Sequence, residues 1–163
     1  MSIDFNTCRV TKAGNIITPK ARMGFPTLFT PRTAPGSDKA KYSVSLVIPD
    51  KADIALLKKA AADAAKAKWG DKLPAKLKTP FLKAGECEGD KGKHFPDELD
   101  AWIVLRPTSL QQPGIVDARG QNVTDEKEVY AGRWCVASLR AFAYDTNGNK
   151  GVSFGLQNVQ ILD

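Results

Sequence analysis

Arg133, Trp134, Arg140, Phe142 and Tyr144 fall within one twelve-residue stretch that contains no acidic side chain. Guanidinium groups neutralise phosphates and flat rings stack on unpaired bases, so this mixture suits the gripping of an unwound polynucleotide. Read as a strand, the stretch places Trp134, Val136, Ser138, Arg140, Phe142 and Tyr144 on one face. Cys135, Ala137, Leu139, Ala141 and Ala143 take the other, which is small, apolar and shaped for close packing. An unpaired arginine is costly to bury, so the first face is expected to be at least partly wet. Burial statistics pull the other way for its rings, since aromatic residues on strands are more often core than contact.

Two further groups extend this chemistry. Trp102, Val104 and Arg106 repeat the ring-and-cation alternation. If their strand neighbours the first, Trp102, Arg106, Arg140 and Tyr144 form one platform; otherwise Trp102 caps the core and Arg106 pairs with an acid. Lys20, Arg22, Arg32, Lys39 and Lys41 flank proline-rich extended segments along which a single strand can run. Residues 1–41 hold seven Lys/Arg against two acids, whereas residues 84–100 hold six acids against two lysines. A phosphate-binding surface is therefore expected to draw on the first segment and avoid the second, a solvated acidic loop. The formal net charge of +6 favours a polyanionic partner. Lys58, Lys59, Lys66, Lys72, Lys76 and Lys78 read as a solvated face.

Other chemistries lack their residues. Cys8, Cys87 and Cys135 are widely spaced and His94 is the only histidine, so a structural zinc site is rejected. The cysteines read as free thiols of a reducing cytosol, with Cys135 a small core residue. The phosphate-loop and dinucleotide fingerprints are absent. Asp97, Glu98 and Asp100 leave open a metal-dependent nuclease, a reading weakened by their loop context. No apolar run approaches the ~20 residues of a membrane span, and the N-terminus lacks a secretory apolar region, which reads as a soluble intracellular protein. No enzyme activity, cofactor or metal is expected.

The elements that must position these residues follow from pattern. At 163 residues the chain fits one domain, with residues 1–14 expected to fray. Pro19, Pro26 and Pro31 forbid a helix over 15–30, which reads as extended, and 31–40 reads as a loop. Tyr42–Pro49 is the clearest strand, with Tyr42, Val44, Leu46 and Ile48 on one face. A helix follows, with Asp50 as expected N-cap, Asp53 in its first turn, an alanine stripe, and Gly70 as its left-handed end. Its narrow apolar face suits a lid on a barrel. Short strands are expected near Phe81–Leu82, over Trp102–Arg106 and at Ile115–Val116, with a helical turn from Asp125. Asn147-Gly148 joins the last two strands as a tight hairpin. The fold class is mainly β: a partly open barrel of about five or six strands, OB-fold-like, with one main helix inserted between strands.

Four ordered blocks carry a family resemblance: YSVSLVIP at 42–49, KWGDKLPAKLKTP at 68–80, PGIVD at 113–117, and YAGRWCVASLRAFAYDTNGNKGVSFGLQNVQIL at 130–162. Together they resemble bacteriophage and prophage single-stranded DNA-binding proteins over about residues 15–162. The resemblance implies an OB-fold barrel and binding to single-stranded DNA with little sequence preference. It implies no cofactor, and a role in phage replication, recombination or repair in the bacterial host cytoplasm, with replication or recombination proteins and a homo-oligomer as further partners. Many such proteins recruit partners through a flexible acidic tail; the residues up to Gln160-Ile161-Leu162-Asp163 leave recruitment and dimerisation by that route open. Site residues rest on chemistry: Arg22, Lys41, Arg106, Arg133 and Arg140 for phosphates, and Trp102, Trp134, Phe142 and Tyr144 for stacking. The rivals from other classes are a small metal-dependent phage nuclease and a phage structural β-barrel protein.

Overall fold

In the computed structural model, which describes residues 5–33, 39–87, 95, 99–146 and 148–162, the chain runs through ten strands and one α-helix. They are β1 (Arg9–Val10), β2 (Ile16–Ile17), β3 (Ala21–Thr33), β4 (Ala40–Ile48), α1 (Ala55–Trp69), β5 (Leu82–Lys83), β6 (Ile103–Leu105), β7 (Thr108–Ser109), β8 (Gly114–Val116), β9 (Trp134–Thr146) and β10 (Asn149–Ile161). Every strand belongs to one sheet.

That sheet closes on itself. β3 pairs with β4 and with β9, β9 with β10, β10 with β7, and β7 with β4, completing a ring of five. The short strands extend this ring: β2 continues β3 along β9, while β6 and β8 lengthen the β7 position against β4 and β10. The expected OB-like barrel is therefore present, cut into more pieces than the sequence pattern suggested. The breaks have local causes. Pro107 separates β6 from β7, and Pro19 falls between β2 and β3. Going once round the ring, the register advances by roughly ten residues, the strand tilt that closure of a small barrel needs.

Inside lie Met23, Leu28, Val44, Leu46, Leu105, Leu139, Phe154 and Ile161, all almost fully buried. Helix α1 adds Leu57, Ala61 and Ala65 to the same core and packs on β9 and β10. The small side chains of its buried stripe, and Ala137 and Ala141 of β9, allow a close approach. Gly70 ends the helix at φ 61°, its N–H donating to Lys66 O at 2.7 Å. The start differs from expectation. The helix begins at Ala55 rather than after Asp50, and it is Asp53, before the first turn, whose Oδ1 accepts from Ala55 N at 3.0 Å. Residues 49–52 form a turn closed by Ala52 N donating to Pro49 O at 3.0 Å, and Asp53 N is then held by Asn6 O at 2.8 Å.

That last bond also ties the N-terminal region, which the sequence pattern left to fray, to the segment before α1. Lys20 N donates to Phe5 O, and β1 pairs with β2. Residues 1–4 lie outside the described residues, as do 34–38 of the expected 31–40 loop, most of the acidic loop including His94, Asp97 and Glu98, and Asn147 of the hairpin turn.

A second apolar cluster sits on the outer side of the barrel. Val47 and Val104 are covered by Ala84, Cys87, Phe95 and Leu99. Gly24 is what admits Phe95: a methyl group at position 24 would lie 2.6 Å from its ring. Beside it Phe25 adopts φ 44° and Pro26 lacks an N–H, so pairing with β4 is interrupted. The Thr27 hydroxyl fills in, accepting from Ser43 N at 3.1 Å and donating to Ser43 O at 3.2 Å.

Candidate nucleic-acid interface

The period-two reading of β9 holds from Ser138 to Tyr144, whereas Val136, expected on the wet face, is buried. Cys135, Ala137 and Leu139 point into the core, while Arg140 and Phe142 are exposed and Tyr144 half-buried on the other face. Register then supplies what surrounds them. Arg140 stands opposite Gly155, Phe142 opposite Ser153 and Tyr144 opposite Gly151. Directly paired residues share a face, so the rings rise beside a neighbouring strand that is nearly bare.

The bare floor continues across the barrel. Gly155 pairs with Thr108, Thr108 with Ser43, and Ser43 with Thr27. Arg140, Gly155, Thr108, Ser43 and Thr27 thus form one row across five strands, about 19 Å at the usual strand spacing. Its members other than Arg140 are small or hydroxyl-bearing and half-buried. The strand directions place the β9–β10 turn on one side of this row and the far end of the β3–β4 hairpin on the other. The result is a polar strip between the two hairpins, a trench in outline, with a cation and exposed rings at one end. At the β3–β4 wall Arg32 pairs with Lys41, which sets two cations side by side.

Arg140 is oriented without losing its charge. Its Nε donates to Asn15 Oδ1 at 3.2 Å and one terminal nitrogen to Ala13 O at 3.3 Å. Both acceptors are neutral. Phe142 is 44% exposed, a large apolar surface left in water with no core role.

The remaining residues read from sequence separate into other places. β6 pairs with β4 and β5, not with β9, so Trp102 and Arg106 do not join Arg140 and Tyr144 in one platform. Trp102 meets Trp134 instead, ring centroids 6.1 Å apart. Lys20 Nζ and the Arg22 guanidinium lie over the Trp134 ring at 5.1 and 4.9 Å. This cluster is six residues from Arg140 along β9, about 20 Å. Arg133 is turned inward to Glu128: one terminal nitrogen reaches Glu128 Oε2 at 2.8 Å and also bonds Glu128 O. It borders a cavity of about 210 Å³ with Asp117, Arg119, Gln121 and Ile161. Arg106 is exposed just past β6 and has an interaction of its own. Lys41 is exposed on β4.

Sequence reasoning missed the floor. Gly155, Thr108, Ser43 and Thr27 come from four separate segments, and none carries a signal alone. One clue was available: with the hairpin register fixed, Gly151, Ser153 and Gly155 alternate opposite the rings of β9. Two of the thiols are held in the protonated form by their surroundings. Burial pushes Cys135 up to about 12, and burial is also the main cause raising Cys8 to about 11. Among the described residues no group of acids, cysteines or histidines could hold a metal ion. Of the three acids on which the nuclease reading rests, Asp100 is exposed, and Asp97 and Glu98 lie outside the described residues.

A five-stranded closed barrel with a helix against it and a polar trench across its outer face is the architecture of an oligonucleotide-binding domain. The chain belongs to the single-stranded DNA-binding protein family typified by that of Enterobacter phage Enc34, which matches residues 14–163. Among solved structures, it is similar to the single-stranded DNA-binding protein from bacteriophage Enc34 in complex with single-stranded DNA, at 18% identity and TM-score 0.75, covering 99% of this chain and 92% of that one. A C-terminal truncation of the same phage protein gives TM-score 0.76 at 17% identity, covering 100% and 92%. The single-stranded DNA-binding protein gp2.5 of bacteriophage T7 gives 0.60 at 16% identity, covering 90% of each chain. No curated relative matches the sequence.

Proposed function

We propose that this protein coats single-stranded DNA during phage replication, taking the strand into the trench across β9, β10, β7, β4 and β3. It does so without reading sequence and without enzymatic turnover, in the cytoplasm of the bacterial host; recombination and repair would use the same property. One observation carries the reading: Arg140, charged and bound only to neutral acceptors, stands beside exposed Phe142 at the end of a floor too small to obstruct bases. Arg140 meets phosphate, Phe142 and Tyr144 offer ring faces, and Lys41 supplies charge from the opposite wall. Stacking on such rings tolerates every base, which accounts for the lack of sequence preference. Of the floor's hydroxyls, that of Thr108 offers a hydrogen bond to the backbone, while those of Ser43 and Thr27 are engaged with each other. No helix among the described residues is long and apolar enough to cross a membrane.

The test is anisotropy with labelled oligothymidylate, competed by single- or double-stranded DNA. Preference for single strands is expected, together with loss of affinity in Arg140→Ala/Tyr144→Ala while thermal unfolding stays cooperative. Equal competition by duplex would reduce the protein to generic basicity. Unchanged affinity in the folded double variant would remove the trench as the site.

A further inference from the structure

The cluster at the other end of β9 has chemistry that the trench does not use. Lys20 and Arg22 lie within 5.1 and 4.9 Å of the Trp134 ring centroid. Among the described residues neither makes an ion pair with a carboxylate. Two like charges are thus gathered on one indole. The Nε of Arg22 is also shut off from solvent and has no hydrogen-bond acceptor. A guanidinium meets phosphate through paired oxygens, which its terminal nitrogens are left to take. With cations over its ring and Trp102 against it at 6.1 Å, Trp134 is better placed to hold charges than to stack a base.

The trench leads to this place. A strand crossing from Arg140 to Thr27 leaves the row on β3, and Arg22 lies five residues back along β3, about 16 Å away. Between them Phe25 and Phe95 meet edge-on at 5.4 Å, an apolar stretch with no cation of its own. We propose that Lys20 and Arg22, gathered on Trp134, form a phosphate anchor that takes the backbone of the strand after it leaves the trench. The anchor rests on the trench being the binding face, and adds to it a second contact region of different physics. Binding there is electrostatic, and it engages only strands long enough to reach beyond Thr27. Trp134 is a positioning residue: it holds the two charges together and touches no base.

The experiment measures the salt dependence of affinity for oligothymidylates of about five and about twenty nucleotides, which bracket the usual span of one such barrel. Lys20→Gln/Arg22→Gln should lower the slope of log K against log salt by about 1.4 on the long strand, two phosphate contacts' worth, and leave the short one unchanged. Trp134→Leu should lower the long-strand slope in the same direction with both cations still present. If the double variant does not fold, Lys20→Gln alone should lower the slope by about 0.7, and Lys20→Arg should retain the wild-type value. An unchanged long-strand slope overturns the anchor while wild-type binding leaves the trench standing. Equal losses on both lengths overturn it too, by placing the cations inside the trench. Wild-type protein that binds neither strand sinks both readings together.

Discussion

Tyr144 and Gly151 face each other across the β9–β10 hairpin, so closely that a methyl group at position 151 would lie 2.7 Å from the Tyr144 hydroxyl and 2.8 Å from Lys78 O. Gly151 is therefore what lets one of the proposed ring contacts lie down on β10. The same spot is locked from the other side, where Lys78 N donates to Lys150 O and Val152 N to Lys78 O. Gly151→Ala should destabilise the protein by about 1–3 kcal/mol through overpacking and should weaken single-strand binding by tilting Tyr144. Urea unfolding with parallel binding titrations checks this; an unchanged midpoint would show that the segment around Lys78 yields freely.

Phe142 is exposed and supports no core, so its removal should separate binding from folding. Phe142→Ala should cost about 1–3 kcal/mol of single-strand affinity, the worth of one stacked base, with the unfolding midpoint within about 0.5 kcal/mol of wild type. Loss of stability without loss of affinity would place the ring in a structural role.

Arg133 should behave in the opposite way. Its side chain is 14% exposed and held at 2.8 Å by Glu128. Because Glu128 is 55% exposed, solvent screens the pair, and Arg133→Gln should cost about 1 kcal/mol of stability. The salt slope of DNA binding should not change. A slope reduced by one phosphate contact would return Arg133 to the interface.

Cys135 gives a pH dependence with a definite sign. Burial pushes its thiol up to about 12 from 9.0, so the folded state prefers the protonated form. The unfolded chain loses that proton first as pH rises. The contribution is therefore fully present below pH 9 and is lost progressively as pH climbs toward 12, with a slope approaching about 1.4 kcal/mol per pH unit. Denaturant unfolding from pH 8 to 11 should show this decline, to which Cys8 adds with the same sign, and Cys135→Ala should make it shallower. Native protein should resist thiol alkylation at Cys135 until it is unfolded.

Gly24 tests the outer cluster. A methyl there would meet Phe95 at 2.6 Å and Ser45 Cβ at 3.3 Å. Gly24→Ala should cost about 1–3 kcal/mol and quench or shift the emission of Trp102, which packs on the same cluster. Unaltered fluorescence with wild-type stability would mean that Phe95 is not held there.

The alternation of β9, the hairpin, the α1 stripe with Gly70, the apolar face of β4 and the mainly β class were all determined by the sequence itself, because each is a matter of neighbours a few residues apart. The division of β9 into a small inner face and a cationic, aromatic outer one is of that kind, and it already implied a partly wet surface. What only the tertiary structure decided is which separate segments meet. The trench floor joins β10, β7, β4 and β3 through register. The same closure brought Lys20 and Arg22 to Trp134, put Trp102 beside them, and turned Arg133 inward to Glu128. Period and propensity act along the chain, whereas pairing partners are chosen by how the ring of strands can close around its core.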